Sequence, residues 1–210
     1  MPLINRGVIR VASDVLHTGN PPQLVATAGL LNTGTILLDP LCRLSVQSAT
    51  SRFDQLEGGS LMLGAGALIA GDVFASGGSV NGSGTITGSL ILGDQATLTI
   101  GDLLPHQRAA PALEIGENYR QAGTLVLRGA GQQFGQLHVQ GEATLSGELR
   151  LDFVQPPEFE QPFLVLNASS LLGKITVLES PPPSAFDLVQ TSASLTLSRR
   201  AARANTSIIF

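Results

Sequence analysis

The stretch GSLMLG at residues 59–64 returns almost unchanged as GSLILG at residues 88–93, and this recurrence is the strongest sequence signal for the fold. Both hexads contain the pentad Gly-x-Leu/Ile-x-Leu/Val, whose third and fifth residues are apolar and point to the same side of a strand. The glycine that opens the pentad is expected to supply a turn conformation that residues with a Cβ resist. Each pentad therefore predicts a short strand that is buried on one face.

The pentad is a repeat that runs through most of the chain. Additional short alternating runs, such as GTITG (84–88) and QLHVQG (136–141), lie between the copies, so each period holds two or three strands. Seven intact copies follow one another at similar spacing, and they begin at Gly7, Gly34, Gly59, Gly88, Gly123, Gly147 and Gly173. Such a repeat predicts an all-β chain folded as a right-handed parallel β-helix, a solenoid in which Leu61 lies over Ile36 and under Leu90.

An antiparallel β-sandwich is the alternative fold, because it also combines short alternating strands with frequent turns. It does not explain why one pentad recurs in register. The predicted organisation is β-helix coils over residues 1–180, a C-terminal strand or cap over 181–197, and a tail or linker over 198–210, where the composition changes. The segment DLLPHQRAAP (102–111) falls in the longest gap and is predicted to be a protruding loop.

The composition limits the possible partners. Only 13% of the 210 residues are charged and the net charge is −4, which argues against a disordered chain and against a nucleic-acid partner. No apolar stretch reaches the roughly 18 residues of a membrane span, and no secretory signal is visible. Either the protein is intracellular, or the chain is a piece of a longer secreted protein or assembly, and we favour the second interpretation. The single cysteine, Cys42, cannot form an internal disulfide and is expected to be a small buried residue.

Two stretches carry a resemblance to a known family. The first is GSGTITGSLIL (82–92), and the second is a spaced pattern within residues 112–178, formed by Tyr119, Gln121, Gly123, Phe134, Gln136, Leu137, Val139, Gly141, Ala143, Leu145, Gly147 and Leu149. With these stretches, residues 50–180 resemble coils of bacterial surface and secreted β-helix proteins, including autotransporter passenger domains and filamentous-haemagglutinin-like adhesins. The pattern within residues 112–178 is similar to a module common near the C-terminal ends of these chains. The resemblance implies an extracellular or cell-surface scaffold, often a stalk or an adhesive fibre, and its motifs report coil geometry rather than chemistry.

Few residues suggest a chemical site. Glu158 and Glu160 are the closest pair of carboxylates, and their proline-rich surroundings indicate a solvated loop rather than an acid and base pair. No Gly-x-Ser-x-Gly elbow or phosphate-binding loop occurs, and the histidines, His17, His106 and His138, have no metal-like partners at short spacing. His138 alternates with apolar residues and is expected to face solvent. We therefore assign no catalytic residue, no cofactor and no metal ligand.

Three aspartates are the weak candidates for a metal site. Asp72, Asp94 and Asp102 each follow a glycine, and the first two are separated by close to one coil of chain, so they could stack on one edge and bind Ca²⁺. The simpler interpretation is turn chemistry, in which the carboxylate accepts hydrogen bonds from nearby backbone.

Two functional hypotheses follow. The first is a structural or adhesive β-solenoid segment that acts through its shape and surface contacts with glycans or with host or neighbouring surface proteins. The second is a polysaccharide-binding or polysaccharide-cleaving module, a lyase or hydrolase, in which Asp94, Asp102 or His106 beside the 102–111 loop would matter.

Overall fold

A computed structural model of the chain describes residues 1–13, 20–46, 52–101, 111–130, 133–153, 162–180 and 186–199. Within these ranges the chain is all-β, with 22 strands and no helix. The strands are, in chain order, β1 (Leu3–Asn5), β2 (Val8–Val11), β3 (Gln23–Ala26), β4 (Leu30–Asn32), β5 (Thr35–Leu38), β6 (Arg43–Val46), β7 (Phe53–Gln55), β8 (Ser60–Ala70), β9 (Val73–Ile86), β10 (Leu90–Ile100), β11 (Ala112–Ile115), β12 (Tyr119–Gln121), β13 (Thr124–Ala130), β14 (Gln133–Phe134), β15 (Gln136–Val139), β16 (Glu142–Leu145), β17 (Glu148–Phe153), β18 (Phe163–Asn167), β19 (Ser170–Gly173), β20 (Thr176–Ser180), β21 (Phe186–Gln190) and β22 (Ser194–Arg199).

Most strands stack in three ladders of parallel pairs. The chain runs through the first, second and third ladder in that order and then begins again, and each such round is called a pass. The first ladder contains β1, β4, β7, the beginnings of β9 and β10, β12, β16 and β19. The second contains β2, β5, the beginning of β8, the middle of β9, the end of β10, β13, β17 and β20. The third contains β3, β6, the ends of β8 and β9, β11, β15 and β18. Together they form one curled sheet of mixed strand direction.

The length of one pass is shortest in the middle of the chain. In the second ladder Ser60 pairs with Ser79, and Ser79 pairs with Thr97, so two short passes follow one another. The next pass runs from Thr97 to Thr124 and is much longer, because it includes residues 102–110, which lie outside the described part of the chain. The predicted 102–111 loop therefore joins β10 to β11, the second ladder to the third.

The core lies inside the three ladders and is made of columns of side chains in register. Alternation along each strand turns every second residue inward, and parallel pairing places the inward residues of successive passes beside one another. In the second ladder this column is fully buried over six passes: Ile36, Leu61, Val80, Leu98, Leu125 and Leu149. The corresponding column of the first ladder contains Leu30, Phe53, Val73, Leu90, Tyr119, Ala143 and Leu171.

The two hexads that suggested the repeat do not occupy equivalent places. Leu61 pairs with Ile36 as expected, but its neighbour on the other side is Val80 and not Leu90. Leu90 belongs to the first ladder, between Val73 and Tyr119. The prediction that Leu90 continues the column of Leu61 is wrong, because a Gly-x-Leu-x-Leu strand suits any of the three ladders and its sequence does not encode which one.

The pentads at Gly88 and Gly173 are therefore out of phase with the other five. Gly173 pairs with Leu145 in the first ladder, whereas the pentads at Gly123 and Gly147 begin successive strands of the second ladder. The position equivalent to the other glycines is Gly78 in the fourth pass, which pairs with Ala96 in the fifth.

The physical role expected for the repeat glycines also needs correction. Of the seven, only Gly173 has a positive φ, of 81°. At Gly34, Gly123 and Gly147 an added Cβ would instead collide with a carbonyl oxygen of the preceding pass, that of Gly7, Ala96 and Gly123 respectively. These glycines are required because successive passes approach closely, not because the turn needs a left-handed conformation.

The C-terminal part of the described chain departs from parallel pairing. β21 and β22 form an antiparallel hairpin, and β22 also pairs antiparallel with β18. The only other antiparallel pair among the described strands is the short β13–β14 contact. An antiparallel sandwich would need this pairing throughout. β22 continues to Arg199, so residues 198 and 199 belong to a strand and not to the predicted tail, and the remainder of that tail lies outside the described residues.

Candidate functional site

The outward side of the first ladder carries side chains of several chemical classes. Alternation along each strand places one residue of each pass at the centre of this face. The resulting column runs in register through Leu31, Asp54, Phe74, Ile91, Arg120, Thr144 and Leu172. Acidic, aromatic, aliphatic, basic and hydroxyl groups therefore follow one another along the face at about 4.8 Å per pass.

A depression of about 340 Å³ lies on this face and spans three passes. Ile91 and the buried Tyr119 supply its apolar surface, and Arg120 and Glu142 supply its charges. Its lining consists of Ser89, Ile91, Asn118, Tyr119, Arg120, Glu142 and Thr144. Ligand sites commonly combine an apolar surface with a few convergent polar groups in this way.

Hydrogen bonds between passes hold the polar rim of the depression. The Asn118 side-chain oxygen accepts a bond of 2.9 Å from the backbone N–H of Glu142. The Thr144 hydroxyl donates to Glu142 at 3.3 Å, and the Ser89 hydroxyl donates to Glu117 at 3.1 Å. The first and third of these bonds join neighbouring passes, the second joins two residues of β16, and together they orient the rim groups.

An arginine and an aromatic ring extend the same face beyond the depression. The guanidinium of Arg52 lies 4.2 Å from the centroid of the Phe74 ring and 2.6 Å from the carboxylate of Asp54. Of the ion pairs found among the described residues, the other two join Arg10 to Asp39 and Arg128 to Asp152, so the exposed guanidinium of Arg120 enters none of them.

Of the aspartates singled out from the sequence, the two that the structure describes, Asp72 and Asp94, are not brought together. Asp72 accepts a 2.8 Å hydrogen bond from the backbone N–H of Ser89, its register neighbour on the next pass, which is turn chemistry across two passes. Asp94 is exposed and lies in the irregularity between Leu92 and Gln95, where the first ladder leads into the second. The expectation that Asp72 and Asp94 stack on one edge is therefore wrong.

Several other predicted positions cannot be placed. Asp102, His106, His17, Glu158 and Glu160 lie outside the described residues. Within the described ranges, no group of three or more His, Cys, Asp or Glu side chains is close enough to hold a metal ion.

His138 lies on the outward side of the third ladder, as its alternation with apolar residues predicts. It is half-buried, and its Nδ1 shares a short hydrogen bond with the side-chain oxygen of Asn167 on the next pass. Glu114 is its register neighbour on the preceding pass.

A buried row of amides, which the sequence reasoning missed, connects the first three passes. The Nδ2 of Asn5 donates to Asn32 at 2.7 Å, and the Nδ2 of Asn32 donates to Gln55 at 2.8 Å. All three residues are at most 5% exposed. The signal that could have revealed the row is Asn-x-Gly at 5–7 and 32–34, which places an amide two residues before a repeat glycine.

Gln121 occupies the same register column further along the chain. Its Nε2 donates to the carbonyl oxygens of Gly123 and Glu148, at 3.1 and 2.7 Å, and its oxygen accepts a 3.4 Å bond from the Tyr119 hydroxyl. Burial raises the pKa of the Tyr119 hydroxyl well above its ordinary value, so this group stays protonated.

Cys42 is fully buried, as expected from its sequence neighbours. Burial raises the pKa of its thiol, and the negative charge of Asp39 raises it further. The thiol is therefore kept in its protonated, unreactive form.

Comparison with known proteins adds no assignment. The chain matches no protein-family model and no curated protein. Across the described ranges there is no helix long and apolar enough to cross a membrane.

Proposed function

We propose that the chain is a parallel β-helix, right-handed in sense, which acts as a structural or adhesive segment of a cell-surface or secreted protein. The observation that supports this proposal best is the continuity of its ladders, in which the same three strands recur pass after pass and bury unbroken aliphatic columns. Connections between parallel strands are almost always right-handed, which supports the proposed sense of the coil. The likeness to autotransporter passenger domains and haemagglutinin-like adhesins supports the proposed location.

Rigid length is the property that such a stack offers. The first ladder contains eight strands, and seven steps of about 4.8 Å give a stack roughly 34 Å long. Outward positions can vary without disturbing the core, because alternation separates them from the buried columns. A surface protein can thus carry many contact chemistries on one rod.

Small-angle scattering combined with far-UV circular dichroism tests this proposal. We expect a β-dominated circular dichroism spectrum, and a scattering curve that agrees with a stack of parallel passes about 34 Å long. A spectrum with substantial helix, or a scattering curve that such a stack does not fit, would contradict the proposal. Retention on immobilised surface proteins and glycans then separates an adhesive segment from a passive spacer.

The depression on the first ladder favours a second candidate function, the binding of a polysaccharide along that face. The column presents one side chain every ~4.8 Å along the face, so an extended glycan lying along it could contact several rows. Arg120, Glu142 and Asn118 supply hydrogen-bonding groups for hydroxyls or carboxylates, while Ile91 and Phe74 supply apolar surface for sugar rings.

A polysaccharide screen tests the second candidate. The purified chain is passed over immobilised acidic and neutral polysaccharides, and both retention and newly released sugar ends are measured. Retention that Arg120→Ala abolishes and Arg150→Ala preserves would support binding at the depression, since Arg150 is exposed on the second ladder. Release of sugar ends would indicate a lyase or hydrolase, and equal retention of both variants would exclude this face.

A further inference from the structure

The depression on the first ladder contains a positive charge that the protein leaves unpaired. Arg120 is exposed, and among the described residues its guanidinium makes no hydrogen bond and no ion pair. Glu142 lines the same depression, yet no ion pair joins the two side chains. The reason is the register of β12 and β16, in which Arg120 pairs with Thr144, two residues beyond Glu142. The Cα atoms of Arg120 and Glu142 therefore lie about 8 Å apart, on a diagonal of the sheet.

A second hydrogen-bond donor lies beside Arg120 on the same pass. Asn118 precedes it by two residues and lines the same depression. The side-chain oxygen of Asn118 accepts the backbone N–H of Glu142 at 2.9 Å, which fixes the orientation of the amide. Its Nδ2 donates to no acceptor among the described residues. The sixth pass therefore offers two free donor groups to a ligand.

The rows on either side of these donors differ from them in chemistry. On the seventh pass, the carboxylate of Glu142 accepts hydroxyl bonds from Thr144 and Ser170, both at 3.3 Å. Each carboxylate oxygen accepts one of these bonds, so lone pairs remain for the hydroxyls of a ligand. On the fifth pass, the register partner of Arg120 is Ile91. An apolar row, a donor row and an acceptor row therefore follow one another.

These three rows fit one carboxylated sugar. The volume of about 340 Å³ is at the small end of the range for ligand sites, which suits one sugar ring and its substituents. A carboxylate pairs with a guanidinium through two parallel N–H bonds. Sugar hydroxyls can donate to Glu142, as two hydroxyls of the protein already do. The C–H surface of the ring can pack on Ile91.

The surrounding charge limits how acidic the ligand can be. Within residues 53–101 and 111–119 every charged side chain is a carboxylate, and Glu117 lies at the rim of the depression. On the other side of Arg120, Glu142 adds a further negative charge. Charges that are closer than a Debye length, about 8 Å at physiological salt, act on one another. A polyanionic chain would be repelled on both sides of Arg120, whereas an isolated carboxylate would not.

We propose that the depression binds an isolated carboxylated sugar of an otherwise neutral glycan, with the sugar carboxylate on Arg120 and Asn118 and sugar hydroxyls on Glu142. The proposal rests on the second candidate function, glycan binding on the first ladder, and adds the chemical class of the ligand. It also specifies what the site rejects. Sulfated and polyuronic chains carry closely spaced charges that would meet the neighbouring carboxylates.

Ligand-observed NMR titrations of the full chain test the proposal with three probes. Sialyllactose carries one carboxylate on its terminal sugar, its carboxyl methyl ester is the uncharged counterpart, and lactose lacks that sugar. We expect sialyllactose to bind at least about tenfold more tightly than the other two, because hydrogen bonds to charged groups contribute at least that factor. Arg120→Ala should abolish this preference. Arg120→Lys should keep only part of it, since an ammonium group lacks the planar fork.

Arg150→Ala is the matched control, because Arg150 is also exposed but lies on the second ladder. This variant should bind sialyllactose as the wild type does, and both alanine variants should keep the wild-type circular dichroism spectrum. If Arg120→Ala fails to fold, the comparison of sialyllactose with its ester still decides. An Arg120→Ala variant that folds and keeps the preference would overturn the proposal.

The remaining outcomes separate this proposal from the function on which it rests. Lactose or the ester binding as tightly as sialyllactose would overturn the proposal and leave glycan binding in place. Absence of binding by every glycan, including the polymers of the polysaccharide screen, would overturn both. Tighter binding of a heparin fragment would identify a polyanion site instead. Equal competition by the peptide acetyl-Gly-Glu-Gly-amide would identify an acidic peptide as the ligand, and either result would overturn the assignment of a carboxylated sugar.

Discussion

Replacing Asn32 with leucine tests the energetic role of the buried amide row. The side chain of Asn32 is fully buried and makes four hydrogen bonds: it donates to Gln55 and to the Ser60 carbonyl, and it accepts from Asn5 and from the Gly34 N–H. Leucine removes all four and leaves the Gln55 oxygen buried without a partner.

The expected cost is about 3 kcal/mol in the free energy of unfolding. Four hydrogen bonds at about 1 kcal/mol each give a loss of about 4 kcal/mol, and burial of the apolar leucine recovers about 1 kcal/mol. Leucine itself fits this column, because Leu92 and Leu145 occupy its later positions. The loss therefore comes from broken hydrogen bonds rather than from overpacking.

Urea denaturation followed by far-UV circular dichroism measures this cost. Asn81→Leu is the matched control, since Asn81 is half-buried on the outward side and makes one bond of 3.0 Å to Ser79. We expect the control to cost under about 1 kcal/mol. The double variant Asn32→Leu/Gln55→Leu should cost at least about 1 kcal/mol less than the sum of its single variants, because it leaves no orphaned amide. A neutral Asn32→Leu variant, or strictly additive costs, would refute the reasoning.

Three further predictions follow from close contacts and burial. Gly123→Ala should lower the free energy of unfolding by at least about 2 kcal/mol, because the added Cβ collides with carbonyl oxygens of the preceding pass. Gly7→Ala, whose Cβ has nothing within 4 Å, should stay within about 0.5 kcal/mol of wild type. Equal effects of the two substitutions in urea titrations would contradict this. The Cys42 thiol should resist a thiol reagent at mildly alkaline pH in the folded protein and react fully in urea, and rapid labelling of the native protein would show this to be wrong. Because burial raises the pKa of this thiol in the folded state, its contribution to stability should be complete below the pKa of the unfolded thiol. That contribution should be lost as the pH rises through the pKa of the folded thiol. Phe134→Ala should cost about 3 to 4 kcal/mol, since its buried ring packs 5.0 Å from Phe153 and 5.2 Å from Phe163, centroid to centroid; a thermal midpoint equal to that of wild type would argue against this aromatic cluster as a stabilising contact.

The aspartates show why the candidate site could not be found from the sequence. Asp72 and Asp94 are separated by close to one period, which suggested that they stack, but the passes in this part of the chain are its shortest. When the length of a pass differs by a few residues, a side chain one sequence period away no longer lies beside its expected neighbour and falls at a different place relative to the ladders. The depression around Arg120 escaped notice because its residues come from three passes, and none of them forms a local motif.

What the sequence by itself determined is the all-β character of the chain and the alternation that buries one face of each strand. Short apolar alternation separated by glycines is a local property, since a strand and its turn are encoded within a few neighbouring positions. Tertiary structure alone decided which ladder each pentad joins, as Leu61 and Leu90 demonstrate. It also decided why the glycines are needed, because the carbonyl that excludes a Cβ at Gly123 belongs to Ala96, one whole pass earlier in the chain. Register between passes depends on the length of every intervening turn, and only the folded chain adds those lengths together.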